Sequence, residues 1–342
     1  MSTFISRTAT AAAILSLFAV GPVAAAGPKY KLVLIDGTSA VADVANHGWS
    51  VSSLLSTDQR CQREVCSPVP ALPNDKGLSN TSAHAVNGLG HVVGASPAGD
   101  GTVDHAFFFD GSRSVDLGVF DNDGCGGCTL TSTASALNDR GQVVGASGDR
   151  THYQAFLWQD GTLKNLGALG GTESSAFDIN RHGHVVGFAE TASGERHAFV
   201  YRHGRMRDLG TLPGDNYSDA TGINDAGQIV GNSGGGETSR VFIHQDGVKT
   251  PVPMVPGARW AVATDINNHG FVVGLSSMSD FSTEGWVYDG TAAYRLNAVL
   301  VDNDWRYKVQ GARGIADNGQ IAVEVVDTQM HRNVGAILVP VK

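Results

Sequence analysis

The stretch ASALNDRGQVVGAS, Ala134 to Ser147, decides the fold because the chain repeats it. It returns as AFDINRHGHVVGFA from Ala176, ATGINDAGQIVGNS from Ala220 and ATDINNHGFVVGLS from Ala263, and appears earlier as AHAVNGLGHVVGAS from Ala83. Two worn copies flank these five: VADVANHGWSVS from Val41 and ARGIADNGQIAV from Ala312. The equivalent glycines are Gly48, Gly90, Gly141, Gly183, Gly227, Gly270 and Gly319, separated by 42, 51, 42, 44, 43 and 49 residues. Counted directly, there are seven units.

Each unit carries its own turn chemistry. In Asn138-Asp139-Arg140-Gly141 the Asn accepts a backbone hydrogen bond at the first turn position, and Gly supplies the positive φ needed to re-enter a strand. A second hairpin follows: Ala155 to Trp158, the turn Asp160-Gly161, then Leu163 to Leu166. Two hairpins per unit make a four-stranded meander of about 45 residues. That period fits a propeller blade, whereas β-helices and leucine-rich repeats turn over in roughly 20 to 30 residues. Doublets such as Val143-Val144 and Val185-Val186 are apolar on both faces of a strand, as stacked blades require.

The ends of the chain complement each other. The last unit has its first hairpin and one further strand, Val334 to Val339, while an orphan strand, Tyr30 to Ile35, precedes the first repeat. Three strands and one strand make a complete blade, and closure removes the free edges. The expected architecture is an all-β propeller, most simply of seven four-stranded blades, in one domain over residues 27–342.

The motifs narrow this further. The strings His105-Ala106-Phe107 and His197-Ala198-Phe199, the IN-x-x-G-x-VVG pattern, and the endings Asp116-Leu117-Gly118 and Asp208-Leu209-Gly210 resemble those of the HAF-repeat family of extracellular proteins. The resemblance covers nearly the whole chain after residue 26. It implies export and a propeller-like fold, with no activity and no catalytic residues to carry over. The first unit lacks a His-Ala-Phe equivalent and holds Cys61, Cys66 and three prolines, which keeps six blades open beside seven.

Residues 1–26 read as a cleavable export signal: Arg7, an apolar run from Ala9 to Val20, and small residues up to Ala26. The run is too short to span a membrane, and no later segment comes near that length. The expected location is periplasmic or extracellular, where disulfides persist. The net charge of the whole chain is −9, and removal of Arg7 makes it −10. A chain this acidic excludes nucleic acid as a partner on electrostatic grounds. The expected state is a monomer.

Four cysteines form two local pairs, Cys61 with Cys66 and Cys125 with Cys128, which read first as short-loop disulfides; a redox pair and a zinc site are the alternatives. The repeated histidines read as structural or solvent-facing, because equivalent positions in successive blades lie apart around a ring. No nucleophile elbow, P-loop, metalloprotease or dinucleotide fingerprint is present, so no cofactor is expected. Links between blades vary most and carry the residues suited to binding: Tyr217, Trp260, Trp305, Arg306 and Tyr307. All such links emerge on one face, where Trp260 and Trp305 would form an aromatic platform for a glycan or a protein. The competing reading is a carbohydrate-active hydrolase or lyase, with Asp43, Asp178 and Asp265 converging on the central channel. Small residues at the same repeat position, Ala85, Ala136, Gly222 and Gly314, argue instead for tight packing there.

Overall fold

A computed structural model describes residues 27–35, 37–53, 58–63, 65–120, 129–149, 152–235, 238–302 and 305–341. The expected export signal at 1–26 and the expected pair Cys125/Cys128 lie outside the described residues. Seven four-stranded antiparallel sheets form the blades of a propeller. They span residues 40–68, 82–116, 131–167, 170–210, 217–251 and 258–295, with the seventh built from 307–340 and Tyr30–Leu34. The N-terminal strand pairs with Arg332–Pro340 in the register Tyr30 to Pro340 through Leu34 to Ala336, so the ring closes as the sequence predicts. In the unusual first blade, Cys61 and Cys66 face each other on paired strands and are joined by a disulfide. Seven blades, not six, are therefore present.

One local device recurs in every blade. The innermost strand is irregular at the third repeat position, with register shifts between Val41 and Asp43, Ala83 and Ala85, Ala134 and Ala136, and at the equivalent places onward. A bulge of this kind re-aims the side chains beside it. It also explains the Gly of the VVG motif. A Cβ on Gly145 would lie 2.0 Å from Thr133 O on the bulged strand, and one on Gly187 would lie 1.9 Å from Ser175 O.

Apolar packing between blades centres on the Phe of the His-Ala-Phe string. Phe107, Phe156, Phe199 and Phe242 are all fully buried, with Trp286 filling the same place in the sixth blade. The neighbouring Ala donates its N–H to a serine of the next blade: Ala106 to Ser132 at 2.8 Å, Ala155 to Ser174 at 2.9 Å, Ala198 to Ser218 at 2.9 Å. The His of the string binds the Asp of the Asp-Leu-Gly ending, His105 to Asp116 and His197 to Asp208, each at 2.9 Å. The repeat motif is thus a packing and strand-tying motif.

The turn Asn does more than the sequence reading assigned to it. Asn180 Oδ1 accepts the N–H groups of His182 and His184, holding its own turn, while Nδ2 donates 3.0 Å to Asn224 O in the next blade. Asn87, Asn138, Asn224 and Asn267 donate in the same way to Asn138, Asn180, Asn267 and Ala316. Five buried amides therefore link the second blade to the seventh in series.

Closure by the N-terminal strand makes a prediction. Deleting residues 27–36 from a chain that starts at residue 27 bares the edge strand of the seventh blade, and calorimetry should show a lower thermal midpoint or aggregation on heating. An unchanged midpoint would contradict closure.

Candidate functional site

The channel is the first place to look for chemistry. Asp43, Asp178 and Asp265 stand at the bulge of the innermost strands of the first, fourth and sixth blades. The charge of Asp178 reaches Asp43 although their blades are three apart around the ring, so both acids belong to one channel. A Cβ on Gly314 would sit 2.5 Å from Asp43 Oδ1 and 3.6 Å from Asp265 Oδ2, which places two of the carboxylates against one small residue.

Each carboxylate acts as a clamp. Asp43 accepts the N–H of Val44 at 2.8 Å and that of Val86, in the second blade, at 3.0 Å. Asp178 does the same for Ile179 and Ile223, both at 2.7 Å, and Asp265 for Ile266 at 2.7 Å and Ile315 at 2.8 Å. Both oxygens of every acid thus join a blade to its successor. Burial pushes the Asp43 carboxyl up to about 7 despite the two N–H donors, and Asp178 adds to the rise. Burial likewise raises Asp178, and Asp265 is raised by burial and then by Asp178 and Asp43.

Links between blades emerge together on the opposite side from the Asn turns, along with the loops that join second to third strands; we call this the link face. The five residues singled out from the sequence come from the fifth, sixth and seventh blades. Tyr217 opens the innermost strand of the fifth blade and is half-buried. Trp260 lies inside the strand Ala258–Ile266, not in a link, and is half-buried. The strand begins earlier than expected because Ala258 already pairs with Met278 across a bulge. Trp305 and Arg306 do lie in a link, and Tyr307 opens the strand after it.

Trp305 is 81% exposed. Arg306 stacks on Tyr307 with its guanidinium carbon 5.0 Å from the ring centre, and it binds the buried Asp327 through Nε at 3.1 Å and Nη2 at 2.8 Å. Those bonds hold the Asp327 carboxyl down at about 2. Asp327 in turn accepts the N–H groups of Gln329 and Met330, and Thr328 donates to Arg306 O, so the loop carrying Met330 is tied to the link carrying Trp305. Met330 is 60% exposed.

Phe281 and Met330 on this face were missed from the sequence. Phe281 is 78% exposed in the loop between the second and third strands of the sixth blade, and Arg259 lies 4.7 Å over its ring. The strand that follows this loop packs against the innermost strand of the seventh blade, where a Cβ on Gly285 would lie 3.1 Å from Val309 Cγ1, so the loop and the Trp305 link belong to adjacent blades. The available signal was an aromatic residue in a loop of otherwise small and polar residues, Ser279 to Thr283.

The comparisons with known proteins agree with the fold. Residues 56–234 match a family model described as a protein of unknown function (DUF3466). Among solved structures, YCF48 bound to D1 peptide is similar over 93% of this chain and 98% of its own, with a TM-score of 0.51 and 9% identity. YCF48 from Cyanidioschyzon merolae is similar over 91% and 98%, with a TM-score of 0.50 and 12% identity. The acylaminoacyl peptidase of Pyrococcus horikoshii is similar over 85% of this chain but 50% of its own, with a TM-score of 0.50 and 12% identity. No curated protein matches the sequence.

The channel acids make stability depend on pH. Their folded carboxyls take up protons at higher pH than unfolded ones, so the stability they contribute is present below the unfolded value and is lost as pH rises through the folded value. Histidines that burial lowers act in the opposite sense as pH falls through the ordinary imidazole range, so the Asp43 contribution is read as the difference between wild type and Asp43→Asn. As pH falls from 8 to 6, the thermal midpoint of the wild type should rise relative to that of Asp43→Asn. A difference independent of pH in this window would refute the assignment.

Proposed function

Because the chain belongs to the DUF3466 family, whose description assigns no function, we propose from the surface itself that it is an exported binding module whose link face docks a protein partner. The observation that carries this reading is the pairing of two nearly bare aromatic side chains, Trp305 and Phe281, on one face. Around them stand Met330, Arg259 and the fixed Arg306. Trp, Phe, Met and Arg are the residues enriched at the cores of protein interfaces. Arg259 covers one side of the Phe281 ring, which favours a protein contact over the stacking of a sugar.

Export is supported by the reading of residues 1–26 and by the disulfide. The resemblance of the His-Ala-Phe strings to HAF repeats points the same way. The second reading, hydrolysis or lysis of a carbohydrate by the channel acids, has less support. An acid and base pair needs space between the carboxyls for a sugar and water. Here Gly314 lies between Asp43 and Asp265, and each carboxylate already accepts two backbone N–H groups.

Panning a displayed random-peptide library against the folded protein, in parallel with a glycan array, tests the reading. Peptide binders are expected whose affinity falls about tenfold or more on Trp305→Ala or Phe281→Ala, the size of an interface hot spot. Binders indifferent to both changes would remove the link face, and glycan hits sensitive to Trp305→Ala would transfer the site to a sugar.

A further inference from the structure

On the face that carries the Asn turns, the fourth and fifth blades leave a cavity of about 770 Å3 between them. Its fourth-blade wall is formed by His182 and His184 from the first turn, and Arg202, His203 and Arg207 around the second. The fifth blade contributes Asp225, His244 and Asp246. The repeats supply their own reference for how unusual this wall is. In the third and fifth blades the position of His184 is a glutamine, and it binds a second glutamine at the position of Arg202: Gln142 to Gln159 at 2.9 Å, Gln228 to Gln245 at 3.1 Å.

The fourth blade has exchanged that neutral pair for His184 and Arg202. It has also exchanged the turn acid, Asp160 and Asp246 in its neighbours, for His203, which keeps the same left-handed backbone with φ 52° against 50° and 52°. Three substitutions at one corner all move toward positive charge. None of them is needed for the turn, since the adjacent repeats form it without them.

Three carboxylates also line the cavity, and two of them are engaged by other groups. Asp208 binds His197 at 2.9 Å and the Gly210 N–H, and Asp225 accepts from Arg181 N at 3.0 Å and Asn268 Nδ2 at 2.8 Å. Arg181 Nε also lies 3.6 Å from Asp225. Lys249 donates to Gly210 O. Asp246 is the acid left facing the basic wall. Arg202 and Arg207 have no ion-pair partner among the described residues, and there His244 Nδ1 is buried without a hydrogen-bond partner. The imidazoles stand apart, with ring centres of His184 6.0 Å from His182 and 5.8 Å from His203. No group of three ligands among the described residues is placed to hold a metal ion, so the cluster is not arranged around a cation.

We propose that this cavity binds the oxyanion group of a small acidic ligand, a phosphate or a carboxylate, between Arg202, Arg207 and the surrounding imidazoles. The planar guanidinium fork matches two oxygens of either group. Protonated imidazoles add charge in acid. Burial, followed by His182, His203 and Arg202, holds His184 below the ordinary imidazole value, and burial, Lys249 and Arg202 do the same for His244 against the opposing pull of Asp246. Both rings charge only as the solution becomes acidic, so a carboxylate, which keeps its own charge over this range, gains affinity as pH falls. The site lies on the face opposite Trp305 and stands or fails independently of it.

Titration calorimetry of the folded protein at low salt, with inorganic phosphate and separately with galacturonate, tests the proposal at about pH 5.5 and pH 8. At least one probe should bind at pH 5.5; galacturonate, whose carboxylate is charged at both values, should bind about tenfold more tightly there than at pH 8 if it binds, whereas phosphate loses a negative charge over the same range and is compared between variants at one pH. The double variant Arg202→Ala/Arg207→Ala, at exposed positions, should lose about tenfold or more in affinity, whereas Arg113→Ala, with a side chain 79% exposed on the second blade, should lose none. Binding of phosphate alone would assign a phosphorylated ligand, and binding of galacturonate alone an acidic sugar. Failure of both probes at pH 5.5, or equal binding by the double variant and the wild type, overturns the proposal.

Discussion

The buried amide that reaches from one blade to the next is the contact on which the ring depends. A blade alone is a small twisted sheet with two apolar faces, and it is stable only when both are covered. Phe107, Phe156, Phe199 and Phe242 supply the non-directional part of that covering. The Asn side chains supply the direction. Each binds its own turn through Oδ1 and the next turn through Nδ2, so one residue fixes both the shape of a blade and its angle to its neighbour. A buried amide left half-bonded is costly, which makes the correct stacking the arrangement that satisfies every amide.

The two worn repeats show what happens where the amide is missing. Ala45 and Ala316 occupy its position in the first and seventh blades. Between the seventh blade and the first, Asn46 Nδ2 reaches Asp317 Oδ2 at 3.0 Å, and the strand Tyr30–Leu34 completes the seventh sheet. Between the first and second, Asp43 binds Val86 N and Asp58 binds Ala83 N. The channel carboxylates belong to this account. At three interfaces they bind the backbone N–H of the next blade, and the raised carboxyl of Asp43 reflects a position chosen for packing at the expense of solvation.

The period, the blade count, the closure and the Cys61–Cys66 bond were all legible in the sequence, because each follows from pairing within a unit or from counting units. What joins units was harder to read. Asn138 looks like a turn residue from its neighbours, and its second partner lies 42 residues away at Asn180. The same Asn at the same place in five repeats was the available signal, since a turn alone does not require it. The binding surface was legible only in part. Trp305 was found because links vary, but Trp260 proved to belong to a strand, and Phe281 and Met330 come from the loops that join second to third strands. Which loops share a face is a property of the closed ring, and no single repeat encodes it.

The frame and the surfaces are therefore separable. Turns with Ala316 at the Asn position keep the same backbone bonds, Ala316 N to Gln320 O and Gly319 N to Ala316 O at 2.9 Å, so the amide is dispensable for the turn and acts between blades. Urea denaturation of Asn180→Ala measures this directly, with Asn318→Ala as reference, because Asn318 is exposed and its side chain binds only Gln320 in its own turn. The account predicts a loss of about 1–3 kcal/mol for Asn180→Ala, from the buried groups left unpaired in two blades. For Asn318→Ala it predicts a change within about 0.5 kcal/mol. Equal, small losses for the two variants would contradict the claim that these amides hold the ring together.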